Sequence, residues 1–363
     1  MMSSTTPRIL LAGGGSAGHV SPLLATAAQI TRRCPDAEIT VLGTAQGLEA
    51  DLVPAAGLEL ATIDKVPFPR RPDGAALRFP GRFLGTLREV RGLMRERGID
   101  VVAGFGGYVC PPAYLAAASL RRPLVVHEAN RRPGLANRLG ALRAKAVLTA
   151  FEGSSLPGAR RIGMPMREAI AHLDRAARRD EAVRRMGLDP ARPVLLVTGG
   201  SLGAQRLNAA VAQAARSFVD AGAQILHVSG RGKAADLPEL EGYRVLEYVT
   251  AMEDAYAAAD LALTRSGAGT VSELSAVGLP AVLVPLPIGN GEQALNGEQV
   301  VAAGGALMIP DAELDADRLT EQVLPLLRDG DRLRAMSEAA RAFGITDAAE
   351  VMADVVTGVA RRA

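Results

Sequence analysis

Short apolar runs alternate with longer, alanine-rich helical patterns along the first half of the chain. The runs lie at Arg8 to Ala12, Glu38 to Leu42, Val101 to Gly104, Pro123 to Val126 and Ala146 to Thr149. Buried strands of parallel sheets have this continuous apolar character, and helices connect them. The pattern therefore predicts strand–helix–strand units that form a parallel sheet.

The same rhythm restarts after Arg192, with the runs PVLLVTGG, AQILHVSG, YRVLEYV, DLALTRSG and PAVLVPL. Each half also begins with a strand, a glycine turn and a helix start, LLAGGGSAGH in the first half and LVTGGSLGAQ in the second. We therefore expect an α/β protein of two Rossmann-like domains, with the crossover between them in Arg160 to Pro193.

Composition narrows the class of protein. The length of 363 residues exceeds what one hydrophobic core usually supports, which agrees with two domains. The 41 basic and 39 acidic residues give a net charge of +2, too balanced for a chain that mainly neutralises nucleic-acid phosphates. Cys34 and Cys110 are too few for a disulfide framework or a zinc cluster, as in a reducing cytoplasm. Because no apolar run reaches the ~18 residues of a membrane span and the start lacks a secretion signal, we expect neither export nor a membrane crossing.

The first glycine turn predicts an anion site. Gly13, Gly15 and Gly18 fit G-x-G-x-x-G directly after a predicted strand, where glycines let the backbone approach a phosphate and the next helix offers free N–H groups. A dinucleotide-binding domain also needs an acidic residue at the end of its second strand, where this chain has Gly43 and Thr44. The pattern therefore disfavours NAD binding.

The second half has two comparable turns, Gly199 to Gly203 and Arg265 to Thr270. Because ligands of α/β sheets bind at the carboxyl ends of the strands, these turns predict a cleft for a diphosphate and an acceptor. Ordinary strand-to-helix turns are the alternative. Glu273 likewise has two interpretations. With Thr270 it fits a capping box, and beside a phosphate-binding turn it is placed to accept hydrogen bonds from ribose hydroxyls.

Seven motifs resemble, in the same order, the MurG family of bacterial transferases, which is glycosyltransferase family 28. They are GGGSAGH, GFGGYV, HEAN with GLANR, GMPMR, GGSLGAQ, RSGAGTVSE and EQALN. The resemblance implies the GT-B fold, in which two Rossmann-like domains have parallel sheets that face each other across a deep cleft. It also implies a hexosyltransferase that moves N-acetylglucosamine from UDP-N-acetylglucosamine, with inversion, to the muramyl 4-hydroxyl of undecaprenyl-diphospho-MurNAc-pentapeptide (lipid I). The product is lipid II of peptidoglycan synthesis.

The resemblance also implies a separate binding role for each domain. Residues 1–163 would form the acceptor-binding, membrane-associating domain and residues 164–342 the donor-binding domain, with a helix at about 343–363 that packs back on the first. Neither a cofactor nor a metal is expected, because helix N-termini at Ser201 and Ala268, with Arg167, suffice to stabilise a leaving diphosphate. Asp315-Ala316-Asp317 precedes a helical pattern and predicts a helix cap instead of a metal ligand pair.

For the acceptor side, the resemblance places His19 at the general-base position, with Glu128 as an alternative base or an orienting group. The implied acceptor contacts are Gly14, Gly15, Ser16, Gly18, His19, Tyr108 and Asn137. Tyr108 is equally compatible with simple packing beside its glycine turn.

For the donor, the implied contacts are Ser16, Ala17, Gly18, Asn130, Arg167, Ser201, Val249, Met252, Ala268, Gly269, Thr270, Val271, Ser272, Glu273, Glu292, Gln293 and Asn296. Asn130, at the end of its strand, is equally an acceptor-side candidate, as are the three residues of the first glycine turn. Val249 and Met252 would face the uracil, although both are also ordinary core candidates.

The chain departs from the family pattern at Glu292, where a glutamine is usual, and at Ser16 and Ala17, where Thr and Gly are usual. A carboxylate at Glu292 accepts hydrogen bonds but does not donate, so its contact with the sugar would differ in detail.

A lipid-linked acceptor implies a surface that faces the membrane. Residues 65–100 hold nine Lys or Arg against four Asp or Glu. We expect a loop with apolar and basic residues to bind anionic inner-leaflet lipids, namely Phe68, Arg70, Arg71, Arg78, Phe79 and Arg82. A helical stripe is expected in the core instead, formed by Phe83, Leu87, Val90 and Met94. The chain would then be a peripheral protein on the cytoplasmic face of the bacterial membrane. Other cell-wall synthesis and division proteins are further candidate partners, and nucleic acid is not one.

Other activities fit parts of the pattern. A UDP-sugar epimerase shares the fold and the donor site but needs acid and base carboxylates around one sugar, and a related lipid glycosyltransferase would differ in its acceptor. A dehydrogenase would need the ribose-binding acid that is missing here. A lipid or nucleotide binder without catalysis would have no use for His19. Release of UDP only when a lipid-linked acceptor is present separates a transferase from the epimerase, the dehydrogenase and the binder.

Overall fold

The computed structural model describes residues 6–69, 74–200, 205–234, 237–287 and 291–362. The chain divides into two compact units. Unit 1 comprises Met1–Arg167 with Asp347–Ala363, and unit 2 comprises Glu168–Thr346. Four residues named in the sequence analysis, Arg70, Arg71, Ser201 and Gly203, lie outside the described ranges.

Unit 1 is built on a seven-stranded parallel sheet. Its strands are β1 (Arg8–Ala12), β2 (Glu38–Gly43), β3 (Glu59–Thr62), β4 (Val101–Gly104), β5 (Leu124–Glu128), β6 (Ala146–Thr149) and β7 (Ala159–Arg161). Its first five helices are α1 (Ala17–Arg33), α2 (Glu49–Ala55), α3 (Gly74–Glu96), α4 (Cys110–Ser119) and α5 (Leu135–Ala141). The strand order is β3-β2-β1-β4-β5-β6-β7, which is the doubly wound arrangement.

Unit 2 repeats this plan with six parallel strands. They are β8 (Val194–Thr198), β9 (Gln224–Val228), β10 (Tyr243–Leu246), β11 (Leu261–Thr264), β12 (Ala281–Leu283) and β13 (Ala306–Met308), in the order β10-β9-β8-β11-β12-β13. The helices are α6 (Glu168–Ala171), α7 (Arg175–Arg185), α8 (Gln205–Asp220), α9 (Met252–Ala258), α10 (Ala268–Val277), α11 (Glu292–Ala302), α12 (Ala316–Arg318), α13 (Leu324–Leu327) and α14 (Gly330–Phe343). A 3₁₀ turn at Asp311–Glu313 and a π turn at Leu319–Val323 complete the unit.

The last helix, α15 (Ala348–Ala360), belongs to unit 1. Met352 and Val356 join the apolar core that also holds Ile30 of α1. Arg33 at the end of α1 pairs with Glu350 at 3.0 Å and with Asp354 at 2.8 Å. The final helix thus returns across nearly the whole length of the sequence to cover one face of the first sheet.

Three strands were not among the apolar runs of the sequence. Strand β3 has polar residues at both ends, β7 contains two arginines, and β13 is apolar but only three residues long. All three lie at sheet edges, and each apolar run is too short or too polar to stand out in the sequence. The prediction that the crossover begins at Arg160 was therefore wrong at its start, because Ala159–Arg161 pairs with β6.

The parallel registers bring the carboxyl ends of β1, β4 and β5 to one edge of the unit 1 sheet. Ala12 pairs with Gly104, and Val126 pairs with the same residue from the other side. The first glycine turn, the GFGGYV turn and the HEAN segment follow these three strands. Sheet geometry alone therefore gathers the first three motifs at one edge.

Candidate active site

The first glycine turn leads directly from β1 into α1. Helix α1 begins at Ala17, and its N-cap residue Ser16 has extended backbone, with φ −144° and ψ 156°. Gly15 has a φ of +87°, which glycine adopts without strain. The described geometry thus leaves the first N–H groups of α1 at the mouth of the turn, as an anion site requires.

His19 lies in the first turn of α1 and is half-buried. Its Nδ1 lies 3.1 Å from the Gly14 carbonyl oxygen and 3.2 Å from Ser16 Oγ. Because a carbonyl oxygen only accepts hydrogen bonds, Nδ1 carries the proton in the neutral ring. Nε2 then holds the lone pair, which is the tautomer that a general base needs at this atom.

The GFGGYV turn packs against this ring and this loop. Gly106 has a φ of +107° and Gly107 a φ of +91°. A Cβ at Gly106 would lie 2.8 Å from both Cδ2 and Nε2 of His19, and a Cβ at Gly107 would collide with the Gly14 carbonyl oxygen. Glycine is therefore required at both positions, and Nε2 of His19 lies against the Cα face of Gly106.

A carboxylate that sequence reasoning missed lies beneath the glycine turn. Glu49, at the start of α2, is 0% exposed. Its Oε2 accepts from the Gly15 N–H at 3.0 Å, and its Oε1 accepts from the Thr44 N–H at 2.9 Å and the Thr44 hydroxyl at 2.7 Å. Burial alone would raise its pKa, but these hydrogen bonds outweigh burial, so the pKa of Glu49 is lowered.

Glu128 closes β5 and is also buried, with 3% of its surface exposed. It accepts hydrogen bonds from the Asn130 N–H at 2.9 Å, the Gly134 N–H at 3.0 Å and Asn137 Nδ2 at 3.0 Å. Asn137 is itself buried. Its Oδ1 accepts from the Tyr114 hydroxyl at 2.8 Å, and its Nδ2 also donates to the His127 carbonyl. The geometry therefore favours Glu128 as an orienting group over Glu128 as a base, and it directs the Asn137 amide inward.

Two other groups of unit 1 are excluded from proton or nucleophile chemistry by burial. Burial raises the pKa of the Cys110 thiol to about 11, and its sulfur contacts the Ala12 and Gly106 carbonyls. Burial lowers the pKa of His127 to about 4, and its Nε2 donates to the Gly163 carbonyl at 3.0 Å. Tyr108, by contrast, is 40% exposed, and Lys65 Nζ lies 5.4 Å from the centre of its ring.

In unit 2, the turn after β11 positions the start of α10. Helix α10 begins at Ala268, its N-cap is Gly267, and no side chain caps it. Thr270 and Glu273 are therefore inside the helix, and the capping-box interpretation is wrong because the helix starts three residues earlier than that pattern requires. Glu273 Oε2 instead accepts from the Tyr256 hydroxyl at 2.7 Å. Gly269, Thr270, Ser272 and Glu273 remain half-buried, whereas Ala268 and Val271 are buried.

Neighbouring buried residues hold this turn in place through hydrogen bonds and an ion pair. Arg265 is 5% exposed and binds Asp311 and the Val284 carbonyl. Asn296 on α11 is 0% exposed, and its Nδ2 lies 3.5 Å from the Ser266 carbonyl. Gln293 Oε1 accepts from the Leu286 N–H at 3.0 Å. Asn296 is thus a structural link between α11 and the turn, while Gln293 and Glu292 stay half-buried in the first turn of α11.

The other predicted donor residues are spread along unit 2 and its boundary. Val249 and Met252 are both half-buried, Val249 in the loop after β10 and Met252 at the start of α9. Arg167 is exposed and is the last residue of the first segment of unit 1. Asp315 caps α12 by accepting from the Arg318 N–H at 2.8 Å, which confirms the prediction of a helix cap.

Two residues predicted to face the membrane, Phe68 and Phe79, pack with Phe83, which was predicted for the core, and these three form what is here called the aromatic cluster. Ring centroids lie 5.1 Å apart for Phe68 and Phe79 and 5.5 Å apart for Phe79 and Phe83. Arg78, Phe79 and Arg82 belong to helix α3, so the expected loop extends only around Phe68. Phe83 joins the half-exposed cluster, whereas Val90 and Met94 of the predicted stripe are buried as expected. No helix in the described ranges is long and apolar enough to span a bilayer.

Two family models cover most of the chain. The N-terminal domain of glycosyltransferase family 28 matches residues 9–149, and the C-terminal domain of that family matches residues 194–352. The chain belongs to glycosyltransferase family 28.

Individual members of the family agree. The UDP-N-acetylglucosamine--N-acetylmuramyl-(pentapeptide) pyrophosphoryl-undecaprenol N-acetylglucosamine transferase of Paenarthrobacter aurescens (strain TC1) is 53% identical over 353 residues, covering 96% of this chain and 95% of the relative. The crystal structure of Acinetobacter baumannii MurG superposes with a TM-score of 0.78 at 27% identity, covering 98% of this chain and 100% of that chain. Both the resemblance and the fold class of two Rossmann-like domains are confirmed.

One further solved structure shows a likeness of fold alone. A putative UDP-N-acetylglucosamine 2-epimerase from Listeria monocytogenes superposes with a TM-score of 0.71 at 16% identity, covering 98% of this chain and 97% of that chain. Such a likeness carries no argument about chemistry.

Proposed function

We propose that this chain transfers N-acetylglucosamine from UDP-N-acetylglucosamine to the muramyl 4-hydroxyl of lipid I and so makes lipid II for the bacterial cell wall. The observation that carries the proposal is the 53% identity to a transferase of that name over nearly the whole chain. His19 is the residue that would remove the proton from the acceptor hydroxyl. In this reaction the chain is a hexosyltransferase that forms one glycosidic bond and releases UDP.

His19 is the base in this proposal. Its Nδ1–H is held by the Gly14 carbonyl, so Nε2 accepts the proton of the acceptor hydroxyl. The resulting oxygen attacks the anomeric carbon while the bond to the diphosphate breaks, which inverts the configuration. The proton passes to His19, and the electron pair of the broken bond leaves with UDP.

The acceptor's diphosphate would bind at the start of α1. The Gly15 N–H is already used by Glu49, so the N–H groups of Ala17 and Gly18, with the Ser16 hydroxyl, are the better donors. Tyr108, 40% exposed near the same turn, is placed to line the acceptor site.

Unit 2 would bind the donor. The N-terminus of α10 offers N–H groups and a positive dipole end to the diphosphate, and Glu273 accepts from the ribose hydroxyls. Its bond to the Tyr256 hydroxyl leaves further acceptor capacity on the carboxylate. Glu292 and Gln293 begin α11 and would contact the sugar.

Membrane attachment in this proposal is peripheral and cytoplasmic. The aromatic cluster has Phe68 at 44% exposure, with Lys65, Arg78 and Arg82 exposed around it. Aromatic rings beside basic side chains suit a surface of anionic lipid, where each basic residue adds about 1 kcal/mol. The cluster would bring the chain to its lipid-linked acceptor.

The deciding experiment measures UDP release with and without a lipid-linked muramyl acceptor. Wild type should release UDP only when the acceptor is present, and His19→Ala should reduce the rate by about 10²–10⁴-fold, the usual contribution of a general base. His172→Ala is the matched control, because His172 is exposed and lies in unit 2. Release that needs no acceptor, or equal loss in both variants, would contradict the proposal.

A further inference from the structure

Glu49 is a buried carboxylate that forms no ion pair with any cation in the described part of the chain. Burying a charge without a cation is costly unless hydrogen bonds compensate. Here three donors from two loops compensate, and they keep the carboxylate ionised despite its burial. An apolar residue in the same space would leave the Gly15 N–H and both Thr44 donors without an acceptor, so the carboxylate organises the two loops as well as filling the space.

The surrounding glycines make room for this side chain. A Cβ at Gly14 would lie 2.5 Å from Glu49 Oε1, and a Cβ at Gly43 would lie 2.5 Å from its Cγ. A Cβ at Gly47 would also collide with the carboxylate. Gly14 therefore serves the carboxylate beneath the loop as well as any ligand above it.

One peptide group connects Glu49 to His19. The N–H of the Gly14–Gly15 peptide donates to Glu49 Oε2 at 3.0 Å, and the C=O of the same peptide accepts from His19 Nδ1 at 3.1 Å. A peptide is planar, so fixing its N–H also fixes the direction of its carbonyl. A negative charge at the N–H end polarises the amide and strengthens the carbonyl as an acceptor.

We propose that Glu49 is a positioning residue that acts through the Gly14–Gly15 peptide to hold His19 with Nδ1 protonated and Nε2 free to take a proton. This inference rests on the proposed function for its effect on the reaction, but its effect on the His19 ring stands apart from any activity. Glu49 touches neither substrate nor the ring. It sets which nitrogen of the ring is the base.

Nitrogen NMR of histidine tests the ring directly. The chain has four histidines, and those at 127 and 227 are buried and serve as internal references. In wild type at neutral pH, ring ¹⁵N correlation spectra should show His19 as the Nδ1–H tautomer. A wild-type His19 found as Nε2–H, or as an even mixture, would overturn the proposal without any variant.

Two variants distinguish the effect of the Glu49 charge on His19 from the effect of destabilising the residues around Glu49. Glu49→Gln keeps the shape, and its one amide oxygen satisfies most donors when it faces the Thr44 N–H and hydroxyl, so its NH₂ faces the Gly15 N–H and that bond is lost. His19 should then become a mixture of tautomers. Thr44→Val removes the hydroxyl donor to the other carboxylate oxygen and leaves both the charge and the Gly15 bond, so His19 should keep its wild-type spectrum.

The same variants are then compared in acceptor-dependent UDP release. Glu49→Gln should lower kcat by about tenfold or more and leave the donor KM within about twofold, because a wrongly oriented imidazole affects the proton transfer and not the donor site. Thr44→Val should retain the wild-type kcat. An unchanged His19 spectrum or an unchanged kcat in Glu49→Gln would overturn the proposal. If wild type itself releases no UDP, the proposed function fails, and the NMR result still decides the role of Glu49.

Discussion

The Gly106→Ala substitution tests where the ring of His19 must lie. An ideal Cβ at Gly106 lies 2.8 Å from both Cδ2 and Nε2 of His19. Carbon atoms in contact normally keep about 3.5–4.0 Å, so the ring would have to move by roughly 1 Å. Any such movement changes the 3.1 Å contact between Nδ1 and the Gly14 carbonyl oxygen.

Two effects follow, and their sizes differ. A non-glycine residue at a φ of +107° is strained, and such strain costs about 1–2 kcal/mol. That cost corresponds to a decrease in Tm of about 2–8 °C for a unit of this size. A base displaced by about 1 Å loses about 10²-fold in rate. We therefore expect a well-folded variant at 25 °C whose kcat has fallen far more than its stability explains.

The assay pairs thermal unfolding, followed by circular dichroism, with acceptor-dependent UDP release. Gly92→Ala is the matched control, because Gly92 is exposed in the middle of α3 and a Cβ there meets no atom within 4 Å. Alanine should stabilise that helix by about 0.5–1 kcal/mol and leave kcat unchanged. A Gly106→Ala variant with wild-type kcat would refute the assignment of Nε2 as the atom that takes the proton.

Three further predictions concern acid stability, a buried polar link and the membrane. Burial lowers the pKa of both His127 and His227 to about 4, so below pH 6.5 the unfolded chain binds more protons than the folded chain. The free energy of unfolding should therefore be lower at pH 5 than at pH 7.5 by about 2 kcal/mol per histidine, as urea unfolding at the two pH values would show. Equal stability at both pH values would contradict this sign. Tyr114→Phe removes the donor to Asn137 Oδ1 and should cost about 1–2 kcal/mol of unfolding free energy, and no loss would mean that the bond is not made in solution. Phe68→Ser should reduce sedimentation with anionic vesicles severalfold and leave binding to neutral vesicles weak, whereas unchanged sedimentation would exclude the cluster as a membrane contact.

Periodicity and glycine turns were enough to predict the two sheets, because strands buried on both faces are apolar throughout. Strand β4, with the sequence VVAG, shows this, because all four of its residues are buried. Edge strands lack that requirement, and β7, with the sequence ARR, carries no apolar signal at all. The helix N-terminus expected at Ala268 is where α10 begins, and only the capping-box alternative, which starts the helix after Thr270, is wrong. The residues Ala268 and Gly269 extend the helix toward its N-terminus, and a T-x-x-E pattern does not indicate where a helix begins when small residues precede it.

Site residues were predicted by motif, and motifs do not indicate which way a side chain points. Asn137 and Asn296 are both polar residues near expected ligands, yet each is buried and bonded to the protein itself. For Asn137 the partner is Tyr114 of α4, an element distant in sequence. The orientation of such amides is determined by packing between helices, and that packing cannot be predicted from the motifs of a single sequence.

Glu49 shows most clearly why glycine motifs are ambiguous. In the sequence it is one of two acidic residues at the start of a short helix, which is what helix dipoles favour on any exposed helix. Its burial depends on three glycines from two loops, and one of them belongs to the motif that predicts a phosphate site. A negative charge beneath that motif opposes a phosphate at the Gly15 N–H, since that N–H already has an anion as its partner. In the proposed function the anion site would therefore lie toward the first turn of α1, with the carboxylate below and the diphosphate above on opposite sides of the same loop.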